Sequence, residues 1–136
     1  MHTFTHSVNV CIFSVALGRR LGLTKIQLYD LGLAALFHDI GKSRVPVDVL
    51  NKATGLTDDE WRAIAGHPWL GSLALFHMRG QQELPYRAMI VAFEHHMKTD
   101  LTGYPRPIRP REMSIYSKIV AVADGFDAAT DRKSVV

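Results

Sequence analysis

Seven side chains, His6, His38, Asp39, His67, His95, His96 and Asp124, bring five imidazoles and two carboxylates to a chain with almost no competing reactive chemistry. Imidazole nitrogen and carboxylate oxygen ligate first-row transition metals, and a set of this size can hold two ions. His38 and Asp39 are adjacent, end an apolar run over 28–37, and open the turn His38-Asp39-Ile40-Gly41-Lys42. A carboxylate in that position costs several kcal/mol if it is buried unpaired, and coordination removes the cost. Asp124 is the sole ionisable group within 119–126, which points to a buried and compensated carboxylate. Taken singly, each residue has a plain explanation: His6 as a surface or capping histidine, His67 as the neighbour of a helix start, Lys42 as a surface lysine. The set is much harder to explain that way. His77 fits no pattern and is expected at the surface. His95 and His96 would point about 100° apart on a helix, so both can serve only beyond a helix end or between two metals.

These residues need a scaffold, and apolar periodicity supplies helices throughout. The first is expected over 7–21, with Val8, Ile12, Val15 and Leu17 on one apolar face, His6 in its first turn and Gly22 as its stop. Thr24-Lys25-Ile26-Gln27 has the form of a capping box. The helix it opens turns Leu28, Leu31, Ala35 and Leu36 inward and delivers His38 and Asp39 where a rigid element ends. A long connection over 41–56, with Pro46 and Gly55, leads to a second capping box, Thr57-Asp58-Asp59-Glu60, and a short helix over 61–65. Pro68, just after His67, suits the first turn of the next helix. Pro85 opens another through Met89, Ile90 and Phe93 to His95 and His96. Pro105, Pro107 and Pro110 exclude helix until about Glu112, and Ile115, Ile119, Val122 and Phe126 then mark a last helix carrying Asp124. The expected fold class is all-α, in one domain without internal repeats.

Composition narrows the function classes. At 136 residues, 47% hydrophobic and 21% charged, the chain can bury one real core. A single cysteine, Cys11, excludes an internal disulfide, argues against a thiolate metal site and points to a reducing compartment. No apolar run approaches the ~20 residues that span a bilayer, and residues 1–10 lack the basic-then-apolar order of an export signal. The formal charge of +3 suits a small anionic ligand, while the dispersed basic residues do not form the stripe of a DNA or RNA polymer binder.

The order and spacing of the motifs resemble the HD-GYP branch of the HD-domain metal-dependent phosphohydrolases. The resemblance runs from His6 to about Thr130. It rests on His6-Ser7-Val8-Asn9-Val10, the His38-Asp39-Ile40-Gly41-Lys42 turn, Val45-Pro46 with Leu50-Asn51-Lys52, Leu56-Thr57-Asp58-Asp59-Glu60-Trp61, His67-Pro68 with Gly71, His95-His96, Gly103-Tyr104-Pro105 and Val122-Ala123-Asp124-Gly125-Phe126-Asp127-Ala128. It implies an HD-domain helical bundle and hydrolysis of the bacterial second messenger cyclic di-GMP to linear pGpG, GMP or both. By position it implies that His6, His38, Asp39 and Asp124 ligate one metal, and Asp39, His67, His95 and His96 a second, with Asp39 bridging. Two divalent ions, iron or manganese on such nitrogen and oxygen ligands, would clamp a hydroxide and a non-bridging phosphate oxygen for in-line attack. Lys42 would bind phosphate and protonate the departing 3′ oxygen, and Gly103, Tyr104 and Pro105 would border the substrate. The resemblance also implies a bacterial cytoplasmic location. Partners in keeping with it are a diguanylate cyclase domain, an N-terminal sensory or receiver domain, and a second copy in a homodimer.

The chain departs from the family pattern in two loops and at its end. Met97 follows His95-His96 where the family has glutamate, and Leu101 replaces a glycine between Asp100 and Gly103, removing a carboxylate and a flexible position. His2 stands where some relatives place a glutamate ligand for a third metal, so two metals are expected. Residues 131–136 leave the pattern and are expected to be a non-native tail on a domain, 1–130, truncated at its C-terminus. Two competing readings are a non-hydrolytic module that binds a cyclic dinucleotide or a signalling partner, and a hydrolase of another cyclic dinucleotide or nucleotide. The retained ligands disfavour the first, and Gly103-Tyr104-Pro105 the second.

Overall fold

Both capping boxes form: Thr24 Oγ1 accepts from Gln27 N while Gln27 Oε1 accepts from Thr24 N, and Thr57 and Glu60 repeat the exchange. They open two of the seven helices found among the described residues of the computed structural model, which are 2–52, 54–78, 86–98, 102–106 and 112–130. In chain order the helices are α1 (His2–Arg20), α2 (Lys25–Leu36), α3 (Val47–Leu50), α4 (Asp58–Ala65), α5 (His67–Met78), α6 (Tyr86–Glu94) and α7 (Ile115–Thr130). A 3-10 turn, Ile40–Arg44, joins α2 to α3. The long connection expected over 41–56 is therefore partly helical. Pro85, Asp100, Leu101, Pro107, Pro110 and the expected tail at 131–136 lie outside the described residues, as does the side chain of His2. Among the described residues no helix is long and apolar enough to cross a membrane.

The core lies among α1, α2, α6 and α7, built from Val10, Leu31, Ala34, Ala35, Val91, Tyr116, Ile119, Val120 and Ala123. An ion pair between Arg87 and Asp30 (3.0 Å), with the Arg87 guanidinium over the Tyr116 ring, ties α2, α6 and α7 together at its edge. Two expected apolar faces are corrected. Ile12 on α1 is 58% exposed, and Ile115, Val122 and Phe126 on α7 are each at least half exposed. The inward faces instead carry Ser7, Val10 and Ser14 on α1, and Tyr116, Ser117, Ile119, Val120, Ala123 and Asp127 on α7. Apolar periodicity misreads the phase because these two helices turn polar residues toward the interior.

The 3-10 turn packs on α5, and Gly41 makes the approach possible. A Cβ there would overlap the carbonyl oxygen of His67 and the amide nitrogen of Gly71. The glycine of the His-Asp-Ile-Gly turn thus lets the backbone carrying Asp39 press against the start of α5, where His67 stands.

Candidate metal centre

Asp39 is 4% exposed, and its two oxygens face different groups of ligands. Oδ1 lies 3.2 Å from His67 Nε2 and 3.0 Å from His95 Nε2. Oδ2 lies 3.1 Å from His38 Nε2, 3.9 Å from His6 Nε2 and 3.3 Å from Lys42 Nζ. Asp124 Oδ1 closes the second side, 2.6 Å from His6 Nε2 and 3.7 Å from His38 Nε2. All seven expected ligand candidates therefore converge. They form two groups, His6, His38, Asp39 and Asp124, and Asp39, His67, His95 and His96, each with potential ligand atoms within 4.8 Å of one another. His77 is exposed at the end of α5, as expected.

Helix ends set the ring orientations. The last turn of a helix leaves carbonyls without intrahelical partners, and three histidines sit beside such carbonyls. His38 Nδ1 donates to Ala35 O (2.6 Å) after α2, His67 Nδ1 to Ile64 O (2.6 Å) after α4, and His95 Nδ1 to Ala92 O (3.0 Å) after α6. A carbonyl only accepts, so Nδ1 of each ring carries a proton and Nε2 is the atom turned into the centre, the one a metal would take. His95 and His96 follow the end of α6 rather than continuing it, which lets both rings reach one group. The His38 Nε2 approach to Asp39 is not aligned as a hydrogen bond. His38 Nε2 and His96 Nε2 are thus buried nitrogens without a hydrogen-bond partner. Buried ring nitrogens converging on a carboxylate are what a cation satisfies, and nitrogen and oxygen donors without thiolate fit a first-row divalent ion in each group.

The two groups differ electrostatically. Hydrogen bonding to Asp124 raises the pKa of His6 despite burial. Burial works against protonation of His38, but the negative charge of Asp39, with Asp124 beside it, outweighs it and pushes its pKa up to about 10. Burial opposes ionisation of Asp39 and Asp124. His38 and the other imidazoles overcome it and hold both carboxyls well below the usual range. On the other side, burial lowers His95 despite Asp39, and burial together with His95 and His67 lowers His96 to about 2. Without metal, positive charge is favoured on His6 and His38 and disfavoured on His95 and His96.

The predicted substrate residues border this centre. Lys42 reaches Asp39 from the 3-10 turn. Tyr104 stacks on His96 with ring centroids 4.6 Å apart, Trp61 of α4 meets the Tyr104 ring edge-on at 5.3 Å, and Tyr104 N donates to His96 O. A Cβ on Gly103 would overlap His96 O and crowd Lys98 N, so the glycine seats the Gly103-Tyr104-Pro105 loop directly on the second group. Burial, with Asp39 and Asp124 nearby, raises the Tyr104 phenol above its ordinary pKa and keeps it protonated. Met97 is buried and its amide donates to Glu94 O.

Two residues escaped the sequence reading. Glu94, 1% exposed, accepts from Ser114 N and joins the residue before His95 to the start of α7. Asp127 Oδ2 lies 2.6 Å from His6 Nδ1, and its Oδ1 accepts from Asn9 Nδ2 at 3.0 Å. Its spacing of three from Asp124 puts both carboxylates on one helix face, a signal present in the sequence.

The HD domain family matches residues 3–135 of this chain. A cyclic di-GMP phosphodiesterase of Pseudomonas aeruginosa is 39% identical over 129 residues, which cover 95% of this chain and 30% of the relative. A 3′3′-cGAMP-specific phosphodiesterase of Vibrio cholerae is 34% identical, with 93% and 27% covered. A cyclic di-GMP phosphodiesterase of Thermotoga maritima is 33% identical, with 98% and 36% covered. The chain spans about a third of the length of these relatives. Among solved structures, an HDG"Y"P protein from Bdellovibrio bacteriovorus matches with a TM-score of 0.74 at 23% identity, covering 92% of this chain and 40% of that one. The HD domain of the L. monocytogenes phosphodiesterase PgpH, in complex with cyclic-di-AMP, matches with a TM-score of 0.66 at 21% identity, covering 93% and 67%. Both share the helical fold.

Proposed function

This chain belongs to the HD domain family, and from that membership and its paired ligand groups we propose that it is a metal-dependent phosphodiesterase that opens cyclic di-GMP to linear pGpG, with GMP as a further product. The observation that carries the reading is Asp39, whose two oxygens face separate groups of imidazoles. Two divalent ions held there, iron or manganese, would supply Lewis acidity toward the phosphate and acidify the attacking water. The chain's own residues do the rest. Asp39 keeps the two ligand groups adjacent, and Lys42 offsets phosphate charge and gives a proton to the departing 3′ oxygen. Tyr104, kept protonated, offers a hydrogen-bond donor at the edge of the second group, with Gly103 and Pro105 shaping the loop that presents it. A ligand with two phosphates suits the chain's formal charge of +3. On this reading the domain works in the bacterial cytoplasm, beside a sensory, receiver or diguanylate cyclase domain or as a homodimer.

The test is hydrolysis by the chain loaded anaerobically with iron or manganese, with bound metal quantified and cyclic di-GMP and 3′3′-cGAMP assayed side by side. Turnover of cyclic di-GMP with about two metals bound is the expected result. Turnover confined to 3′3′-cGAMP, on which one relative is named as acting, would overturn the substrate but keep the chemistry. Two bound metals with neither substrate cleaved would overturn the reading in favour of a binding module.

A further inference from the structure

His38, His67 and His95 give their Nδ1 protons to main-chain carbonyls at helix ends. His6 lies within α1, where the carbonyls of the preceding turn are engaged in the helix, so its ring needs an acceptor from elsewhere. That acceptor is Asp127, 7% exposed, whose Oδ2 faces His6 Nδ1 at 2.6 Å. Asn9, one turn beyond His6, donates to the other Asp127 oxygen at 3.0 Å. The pairs His6 with Asn9 and Asp124 with Asp127 thus interlock α1 and α7 face to face.

Resting on the metal-binding part of the proposed function, we propose that Asp127, steadied by Asn9, is the positioning residue for the His6 group. It selects the tautomer that turns His6 Nε2 toward Asp124 and Asp39, and its charge makes that nitrogen a stronger ligand. The His6 group consequently depends on the packing of α1 against α7. The second group does not, because Asp39, His67, His95 and His96 come from the ends of α2, α4 and α6 and the start of α5. Loss of the Asp127 carboxylate therefore empties one group and spares the other.

Manganese binding to the whole chain tests this, read by equilibrium dialysis and electron paramagnetic resonance. The unmodified chain is expected to bind a magnetically coupled pair. Asp127→Asn keeps the side-chain volume and is expected to weaken one ion by roughly 10–100-fold, leaving the spectrum of an isolated ion. Asn9→Ala, which leaves the carboxylate but frees it to turn, gives the same selective loss at smaller size, and Asp127→Glu restores part of the pairing. A coupled pair bound with unaltered affinity by Asp127→Asn and Asn9→Ala overturns the inference, and so does equal weakening of both ions. Failure of the unmodified chain to bind a coupled pair overturns the proposed function itself, and the inference with it.

Discussion

The Nε2 atoms of His67 and His95 lie 3.2 Å apart, and each ring has its Nδ1 proton committed to a carbonyl. Nε2 is therefore the atom that each ring turns toward Asp39. The two nitrogens meet in front of Asp39 Oδ1, in surroundings where water cannot screen them. A cation shared by the two nitrogens and the carboxylate oxygen would satisfy all three.

Asp39→Asn is expected to disable both groups at once, because the amide keeps the volume but cannot offer an anionic oxygen to each side. Metal content should fall from about two per chain to below one, and turnover by more than the roughly 100-fold that bounds outer-shell substitutions. Full activity in metal-loaded Asp39→Asn would remove Asp39 from the centre.

Lys42→Ala should separate binding of metal from use of it. Lys42 contacts Asp39 Oδ2 without being a ligand, so metal content is retained while cyclic di-GMP turnover falls roughly 100-fold. A diester with a good leaving group, such as bis(p-nitrophenyl) phosphate, should lose much less. Equal losses on both substrates would exclude proton donation as the role of Lys42.

The metal-free chain should be most stable near neutral pH. His38, raised from 6.5 to about 10, contributes stability that is fully present below pH 6.5 and is lost as pH climbs through about 10. His6 acts in the same direction. His95 and His96 have lowered values and act oppositely: below pH 6.5 the unfolded chain takes up protons that the folded chain refuses. Asp39 and Asp124, held below the ordinary 3.8, lose their stabilisation only in strong acid. Thermal midpoints of the metal-free chain should thus fall from pH 7 toward pH 10. Manganese affinity should rise over that interval, since binding expels the His38 proton. A midpoint that climbs with pH would contradict the charged state assigned to His38.

Gly103→Ala should act on the substrate loop. The added methyl meets backbone at His96 and Lys98 rather than a movable side chain, so about 1–3 kcal/mol of stability should be lost and KM for cyclic di-GMP should rise as Tyr104 leaves His96. Calorimetry with steady-state kinetics checks both. Unaltered KM would mean that Tyr104 does not meet the substrate.

Much of this protein is determined by local chemistry and is therefore readable along the chain. Thr24 with Gln27 and Thr57 with Glu60 start helices through bonds that span three residues. The seven ligand candidates stand out because ionisable side chains in apolar helical segments are costly unless compensated. The tertiary structure decided which helix faces turn inward. Ile12, Val122 and Phe126 point outward while Ser14, Ser117 and Asp127 are buried, because α1 and α7 meet across a polar centre where apolar periodicity no longer tracks burial. It also decided that His6 would be oriented by Asp127, 121 residues away. A histidine just past a helix C-terminus finds its acceptor among its own neighbours, whereas one inside a helix must take it from whatever element packs against it, and only the folded chain specifies that element.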